Sequence, residues 1–268
     1  MRQLPYIDPL LRQRRGRVLR PQPQRLRPHG SAVPALRARD RARGVHQPLE
    51  PLLPALSARA RAPQHEADDM TEDVAAAYDR RAAEYIELFG DVDATAAQDR
   101  DVIERWSDGI RGSILDAGCG PGQWTRHLAA RRAEPVVGLD GACRFIAAAR
   151  ERFPGVSFTV GELSRLPFDD ATLGGVLAWF SIIHTAPPHL PPVLEEFARV
   201  LRPGGSVLIG FFAGADRQPF DHAVTTAWFW EAGSLSRLLE CAGFAVQSVS
   251  ERHEEGMRPQ GEIVATRV

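Results

Sequence analysis

An α/β fold built on a mostly parallel, doubly wound sheet is what this sequence predicts, and three features predict it. Short apolar runs alternate with amphipathic stretches of helical period from residue 113 to the end of the chain. A crowded glycine turn, Gly118-Cys119-Gly120-Pro121-Gly122, joins the first run to the first of those helical stretches. An acid, Asp140, closes the second run eighteen positions after Gly122. Strands that alternate with helices are joined by right-handed crossovers and pair in parallel, and such sheets bind ligands beyond the carboxyl ends of their strands.

Residues 113–115 read as a short buried strand. The three glycines after it can adopt positive φ, or admit a ligand against the backbone where no Cβ stands in the way. From Gln123 onward, Trp124, Leu128 and Ala129 recur at helical spacing with Arg126, Arg131 and Arg132 between them, so the turn sits at a helix N-terminus. Residues 135–140, 156–160 and 173–180 are the second, third and fourth strands. Residues 193–205 hold a helix, its stop signal and a turn into a fifth strand over 206–211. A helix over 234–241 ends at Gly243, residues 244–249 alternate as a strand, and residues 262–268 close the chain.

The spacing of the glycine turn bears on the cofactor. A dinucleotide fingerprint is G-x-G-x-x-G; here the pattern is G-x-G-x-G, Gln123 stands where the third dinucleotide glycine would fall, and Asp116 lies two residues before the first glycine. A carboxylate at that point repels a diphosphate and attracts a ligand carrying ammonium and sulfonium charge. Asp140, at the end of the second strand, has the lone pairs to accept hydrogen bonds from both hydroxyls of a ribose.

The run from Ile114 to Gly122 resembles the first motif, D/E-x-G-x-G-x-G, of the class I S-adenosylmethionine-dependent methyltransferases. Further segments follow in the family's order. Residues 161–168, Gly-Glu-Leu-Ser-Arg-Leu-Pro-Phe, resemble the family's G-D-x-x-x-L-P-F segment beside the adenine, with Glu162 where aspartate is more usual. Residues 196–205 nearly repeat its E-x-x-R-V-L-R-P-G-G, and Gly174-Gly175 replace an aspartate common before the fourth strand, which removes a turn or capping contact. The resemblance spans about residues 71–268. It implies a Rossmann-like, seven-stranded sheet with helices on both faces and its last strand antiparallel, and it implies S-adenosyl-L-methionine as cofactor. The implied cofactor residues are Asp116, Gly118, Gly120, Gly122, Asp140, Glu162 and Leu163. A helix reading Y-D-x-x-A-x-x-Y lies over the cofactor in the family, so Tyr85, and with it Tyr78, is expected as a lid; an aromatic pair at helical spacing is otherwise ordinary packing.

The reaction so implied is in-line attack of a nucleophile on a sulfonium methyl, for which a protein mainly supplies proximity and alignment. Acceptors that must lose a proton need a base. His184, just after the fourth strand, is the expected catalytic residue, with His189 and His222 behind it; its other reading is a hydrogen-bonded wall residue. Trp179 and Phe180 are expected to frame the acceptor pocket together with residues 216–230, where Phe220, Trp228, Phe229 and Trp230 either line an apolar pocket or cover the sheet as core. A small-molecule acceptor is therefore expected. A nicotinamide-dependent oxidoreductase and a non-catalytic S-adenosylmethionine-binding protein are the other classes that this arrangement of elements admits.

Charge divides the chain. Residues 1–69 carry 14 arginines against 6 acidic residues, net +8, and 10 of the 21 prolines, whereas residues 70–268 are net −9. The first segment has no apolar periodicity and is expected not to fold alone. It reads either as a basic tail for an acidic partner or, given a chain with no lysine at all, as upstream sequence before a natural start at Met70 with Thr71 as helix cap. The catalytic domain is thus expected over 70–268. Its acidity argues against a nucleic-acid groove, and nothing reaches the ~18 apolar residues of a membrane span, so a cytoplasmic location is expected with neither nucleic acid nor membrane as partner. Cys119, Cys143 and Cys241 suit neither a disulfide framework nor a zinc site and are expected as reduced packing residues, with no metal bound.

Overall fold

The structure, a computed structural model, describes residues 68–268, with side chains from Val74 onward. The basic, proline-rich segment and the expectations for it lie outside the described residues. Helix α1 (Asp68–Phe89) is already formed at Asp68, so Thr71 lies inside the helix rather than at its cap.

A single sheet organises the remainder. Its strands are β1 (Ile114–Ala117), β2 (Val136–Asp140), β3 (Ser157–Val160), β4 (Leu173–Trp179), β5 (Leu201–Ala213), β6 (Pro219–Phe220), β7 (Ala227–Trp230), β8 (Phe244–Arg252) and β9 (Gln260–Arg267). Seven of the nine strands run in the order β3-β2-β1-β4-β5-β9-β8, and β7 with β6 branches from β5. β1 through β5 pair in parallel, and β9, the last strand in the chain, inserts antiparallel between β5 and β8. This is the expected seven-stranded sheet. The order reverses between β1 and β4, which is where open α/β sheets bind ligands.

β6 and β7 are additional. Phe212 of β5 pairs with Gln260 of β9 on one side and Phe229 of β7 on the other, so β7 continues the sheet beyond the end of β4. The 214–230 connection thereby becomes a short antiparallel hairpin standing over the carboxyl edge of the sheet.

Helices α2 (Ala97–Asp108) and α3 (Gln123–Arg131) cover one face, where Ile103, Trp106, Trp124 and Leu128 bury against Ile114, Leu177 and Leu208. Helices α5 (Leu190–Val200) and α6 (Ala232–Cys241) cover the other, with Val193, Leu194, Phe197, Leu235 and Leu239 against Leu115, Val176, Val207 and Ile209. β1 and most of β4 are buried on both faces, as central parallel strands must be, and their near-continuous apolar sequence follows from that.

Two local expectations change. The stop signal Pro203-Gly204-Gly205 does not form a separate turn; α5 passes directly into β5 at Leu201, and the extra residues are absorbed as a register shift against β4. Gly174 and Gly175 do more than replace a capping aspartate. A Cβ on Gly174 would lie 1.8 Å from the Arg111 carbonyl oxygen, and one on Gly175 would press on Ile110 and Trp106, so the pair lets the α2–β1 connection pack onto the strand.

Candidate active site

One cavity of about 580 Å³ opens at the carboxyl ends of β1, β2 and β4. Its floor is the glycine turn. Gly118, Gly120 and Gly122 have φ of 79°, 53° and 83°, in the left-handed region, and Gly122 leads into α3. A Cβ on Gly118 would strike Ser181, whereas one on Gly120 would meet nothing within 4 Å, so at Gly120 the backbone lies open to a ligand.

Two buried carboxylates flank this turn. Asp116, 1% exposed, accepts a 2.6 Å hydrogen bond at Oδ2 from the Thr125 hydroxyl, and burial pushes its carboxyl up to about 7. Asp140 accepts the Gly120 amide at Oδ2 and the Ala142 amide at Oδ1, each at 2.8 Å; burial raises it to about 6 against the lowering effect of those bonds. Asp140 therefore ties the glycine turn to β2, a structural task the sequence did not reveal. Each oxygen retains a lone pair for a ligand.

Glu162 and Leu163 line the cavity beyond β3. Their segment is held from α5. Glu196 accepts the Leu166 amide, and Arg199, paired with Glu196 and Asp170, donates to the carbonyls of Leu166 and Phe168. The E-x-x-R motif is thus a clamp on the L-P-F segment.

Helix α1 roofs the cavity with Tyr78, Tyr85, Leu88 and Phe89. Both tyrosines pack on Phe145 of helix α4 (Cys143–Arg152) and on each other at 5.7 Å, and Asp79 caps α4 by accepting the Arg144 amide. The tyrosines therefore pack on α4 and line the cavity. On the opposite side, Arg81 donates to the Ala223 carbonyl.

His184 sits in a 3-10 turn after β4, 8% exposed. Its Nδ1 lies 2.8 Å from the Thr226 carbonyl, which can only accept, so Nδ1 carries the proton. Nε2 then accepts from the Tyr78 hydroxyl at 2.8 Å. Burial lowers the imidazole pKa, so it is neutral at pH 7 and both ring nitrogens are engaged. The ring of His222 stands 5.0 Å away, its pKa pushed down to about 3 by burial and by its proximity to His184, Arg258 and Arg81, and His189 also lines the cavity.

Trp179 and Phe180 line the cavity as expected, joined by Ile183 and Phe212. The aromatics of 216–230 do not. Trp230 is fully buried in the main core, Phe220 and Phe229 pack against each other at 4.3 Å behind Phe212, and Trp228 packs against the main core. The hairpin instead presents His222, Ala223 and Val224 to the cavity. Alternation along so short a hairpin cannot be read without knowing that it continues the sheet.

Sequence reasoning also missed Gln123 and Ser181. Both line the cavity, and Gln123 Oε1 and Ser181 Oγ are buried with no protein hydrogen-bond partner. Of the cysteines, Cys119 is buried as expected, but Cys143 and Cys241 are exposed. Among the described residues no helix is long and apolar enough to cross a membrane.

Comparison with known proteins agrees with this geometry. Residues 114–205 match the family described as "Methyltransferase domain". The chain is 33% identical over 154 residues to malonyl-[acyl-carrier protein] O-methyltransferase of Serratia marcescens, covering 56% of each. It is 33% identical over 133 residues to trans-aconitate 2-methyltransferase of Methylobacterium nodulans, covering 48% of each. It therefore spans about half the length of these curated relatives. Magnesium protoporphyrin IX methyltransferase from Synechocystis PCC 6803, solved with bound SAM, shares the fold with a TM-score of 0.60 at 16% identity, over 76% of this chain and all of that one. The chain is thus similar, over residues 114–205 and in its fold, to the S-adenosylmethionine-dependent methyltransferases, and that likeness supports S-adenosyl-L-methionine as cofactor.

Proposed function

We propose that this protein transfers the methyl group of S-adenosylmethionine to a small-molecule acceptor by in-line displacement. The observation that carries the reading is the pair of buried carboxylates, Asp116 and Asp140, on either side of an open glycine turn in one cavity. Two acids raised by burial favour a cationic ligand and oppose a diphosphate, which argues against a nicotinamide dinucleotide. The cofactor, when bound, supplies a methyl group already activated on a positively charged sulfur.

The chain's own residues have distinct tasks in this reading. Asp140 accepts from the ribose hydroxyls with the lone pairs that the Gly120 and Ala142 amides leave. Glu162 and Leu163 flank the adenine. Asp116 faces the cationic methionine end, where Gln123 Oε1 and Ser181 Oγ give polar atoms that otherwise stay buried and unpaired, an arrangement that suits an ammonium and carboxylate pair. Gly118, Gly120 and Gly122 let the backbone approach the ligand. Tyr85, whose hydroxyl is pushed up to about 12 by burial, remains a neutral cover over the site and keeps water from it.

Calorimetric titration of S-adenosylmethionine into the full chain, with NAD as the comparison, tests the reading. Micromolar binding of S-adenosylmethionine alone is expected; binding of NAD alone, or of neither, would overturn it. A small molecule rather than nucleic acid as partner is part of the same proposal and rests on the acidity of residues 70–268.

A further inference from the structure

The cavity also bears on what it methylates. Relatives named above act on malonyl and aconitate groups, which are acidic. Arg81 is the one arginine among the described residues that line this cavity, and it is committed to Glu84 at 3.0 Å and to the Ala223 carbonyl. The acidic residues that line the same cavity are Glu84, Asp99, Asp116, Asp140 and Glu162. Asp99 is itself paired with Arg252. A carboxylate acceptor entering this space would lose its hydration among like charges with no guanidinium to receive it, a cost that buried anions do not bear without a partner. The wall at the acceptor end is Trp179, Phe180, Ile183 and Phe212, which suits an apolar ring.

At the same end the Tyr78 hydroxyl is wired to a base. It comes from α1, His184 from the turn after β4 and Thr226 from the approach to β7, so three separate elements converge on two hydrogen bonds of 2.8 Å. The direction of both bonds is fixed: Tyr78 donates to Nε2, and Nδ1–H donates to Thr226. The Tyr78 oxygen therefore still has lone pairs for a proton donor in the cavity.

We propose that the acceptor is an uncharged, apolar phenol or enol, and that Tyr78, relaying to His184, receives its proton. This rests on the methyltransferase reading. The acceptor hydroxyl donates to the Tyr78 oxygen. As its oxygen forms a bond to the methyl carbon and the sulfur–carbon bond breaks with its electron pair passing to sulfur, the acceptor proton moves to Tyr78. The proton of Tyr78 moves in turn to His184 Nε2. Products are a methyl ether, a neutral thioether and an imidazolium that the Thr226 carbonyl steadies, so charge is conserved. Tyr78 never persists as a phenolate, in keeping with a hydroxyl whose pKa burial and the nearby Asp140 raise. The charged and titratable groups facing the relay are Arg81 and Tyr85 from α1, Asp140 from β2 and His222 from the hairpin.

The test uses the full chain with S-adenosylmethionine and two probes of equal shape, 2-naphthol and 2-naphthoate, scored as thioether product formed. Methylation of 2-naphthol and not of 2-naphthoate is expected. Tyr78→Phe should lower turnover of 2-naphthol about a hundredfold at pH 7, with the deficit shrinking to a few-fold at pH 10, where the probe ionises without help. His184→Gln should show the same pH-dependent deficit. Turnover of 2-naphthoate at a comparable rate, a Tyr78→Phe deficit that does not change with pH, or cofactor binding with no methylation of 2-naphthol would each overturn the proposal. Absence of S-adenosylmethionine binding would instead bring down the reading beneath it, so the two failures are distinguishable by calorimetry on the same samples.

Discussion

Asp116 and Asp140 flank the glycine turn, and their burial makes them pH-sensitive. With values raised to about 7 and about 6, both take up protons between pH 8 and pH 5 in the ligand-free protein. A protonated carboxyl neither attracts a cation nor accepts as strongly, so affinity for S-adenosylmethionine should fall by about tenfold from pH 8 to pH 6, measured by calorimetry. Stability runs the other way. The folded-state value of Asp116 lies above its ordinary 3.8, so the folded form binds the proton more tightly; its penalty on folding sets in as pH rises from about 4 and is complete above about 7. Asp116→Asn, whose amide oxygen can still accept from Thr125, should therefore stabilise the ligand-free protein at pH 8 by on the order of 2–4 kcal/mol in denaturant unfolding, while weakening cofactor binding. Asp140→Ala differs. It removes the acceptor for the Gly120 and Ala142 amides as well as the proposed ribose contacts, so binding should weaken by about 2–4 kcal/mol with some loss of stability. Asp140 shows the limit of reading residues one at a time: its position after β2 was legible, but the bond tying it back to Gly120 depends on how the turn folds.

At the scale of elements, motif residues turn out to be joints. The Glu196–Arg199 clamp sets where the 162–168 segment runs, and through it where Glu162 and Leu163 face the cavity. Arg199→Ala should leave the Glu196 carboxylate and two carbonyls without their donor, costing about 2–3 kcal/mol in thermal or denaturant unfolding and loosening cofactor binding. Gly174→Ala should be worse than most glycine substitutions, since backbone rather than a flexible side chain occupies the space; a loss of about 3 kcal/mol or more is expected. Most strands and helices from 114 onward were legible, because central parallel strands are buried on both faces and announce themselves as apolar runs bounded by glycine. The β6–β7 hairpin was not. Its aromatics, Phe220, Phe229 and Trp230, have the composition of a pocket wall and the placement of a core, and only the pairing of Phe212 with both Gln260 and Phe229 decides between the two. His184 was found because it follows β4, but its partner Tyr78 lies 106 residues away, beyond any local pattern.

Across the whole molecule, the sheet reverses its strand order between β1 and β4, and the acids, the glycine turn, the roof helix α1 and the hairpin all meet at that point. Helix α1 is fastened on both sides of the cavity, through Asp79 to α4 and through Tyr78 and Arg81 to the 184–226 side. The family match covers the cofactor half of this arrangement, residues 114–205, and the roof and hairpin that shape the acceptor side lie outside it. The most direct test of the central claim is therefore calorimetric titration of S-adenosylmethionine into the full chain at pH 8 and again at pH 6. Micromolar binding that weakens about tenfold at the lower pH is expected if two buried carboxylates receive a cationic cofactor; no binding, or binding indifferent to pH, would contradict it.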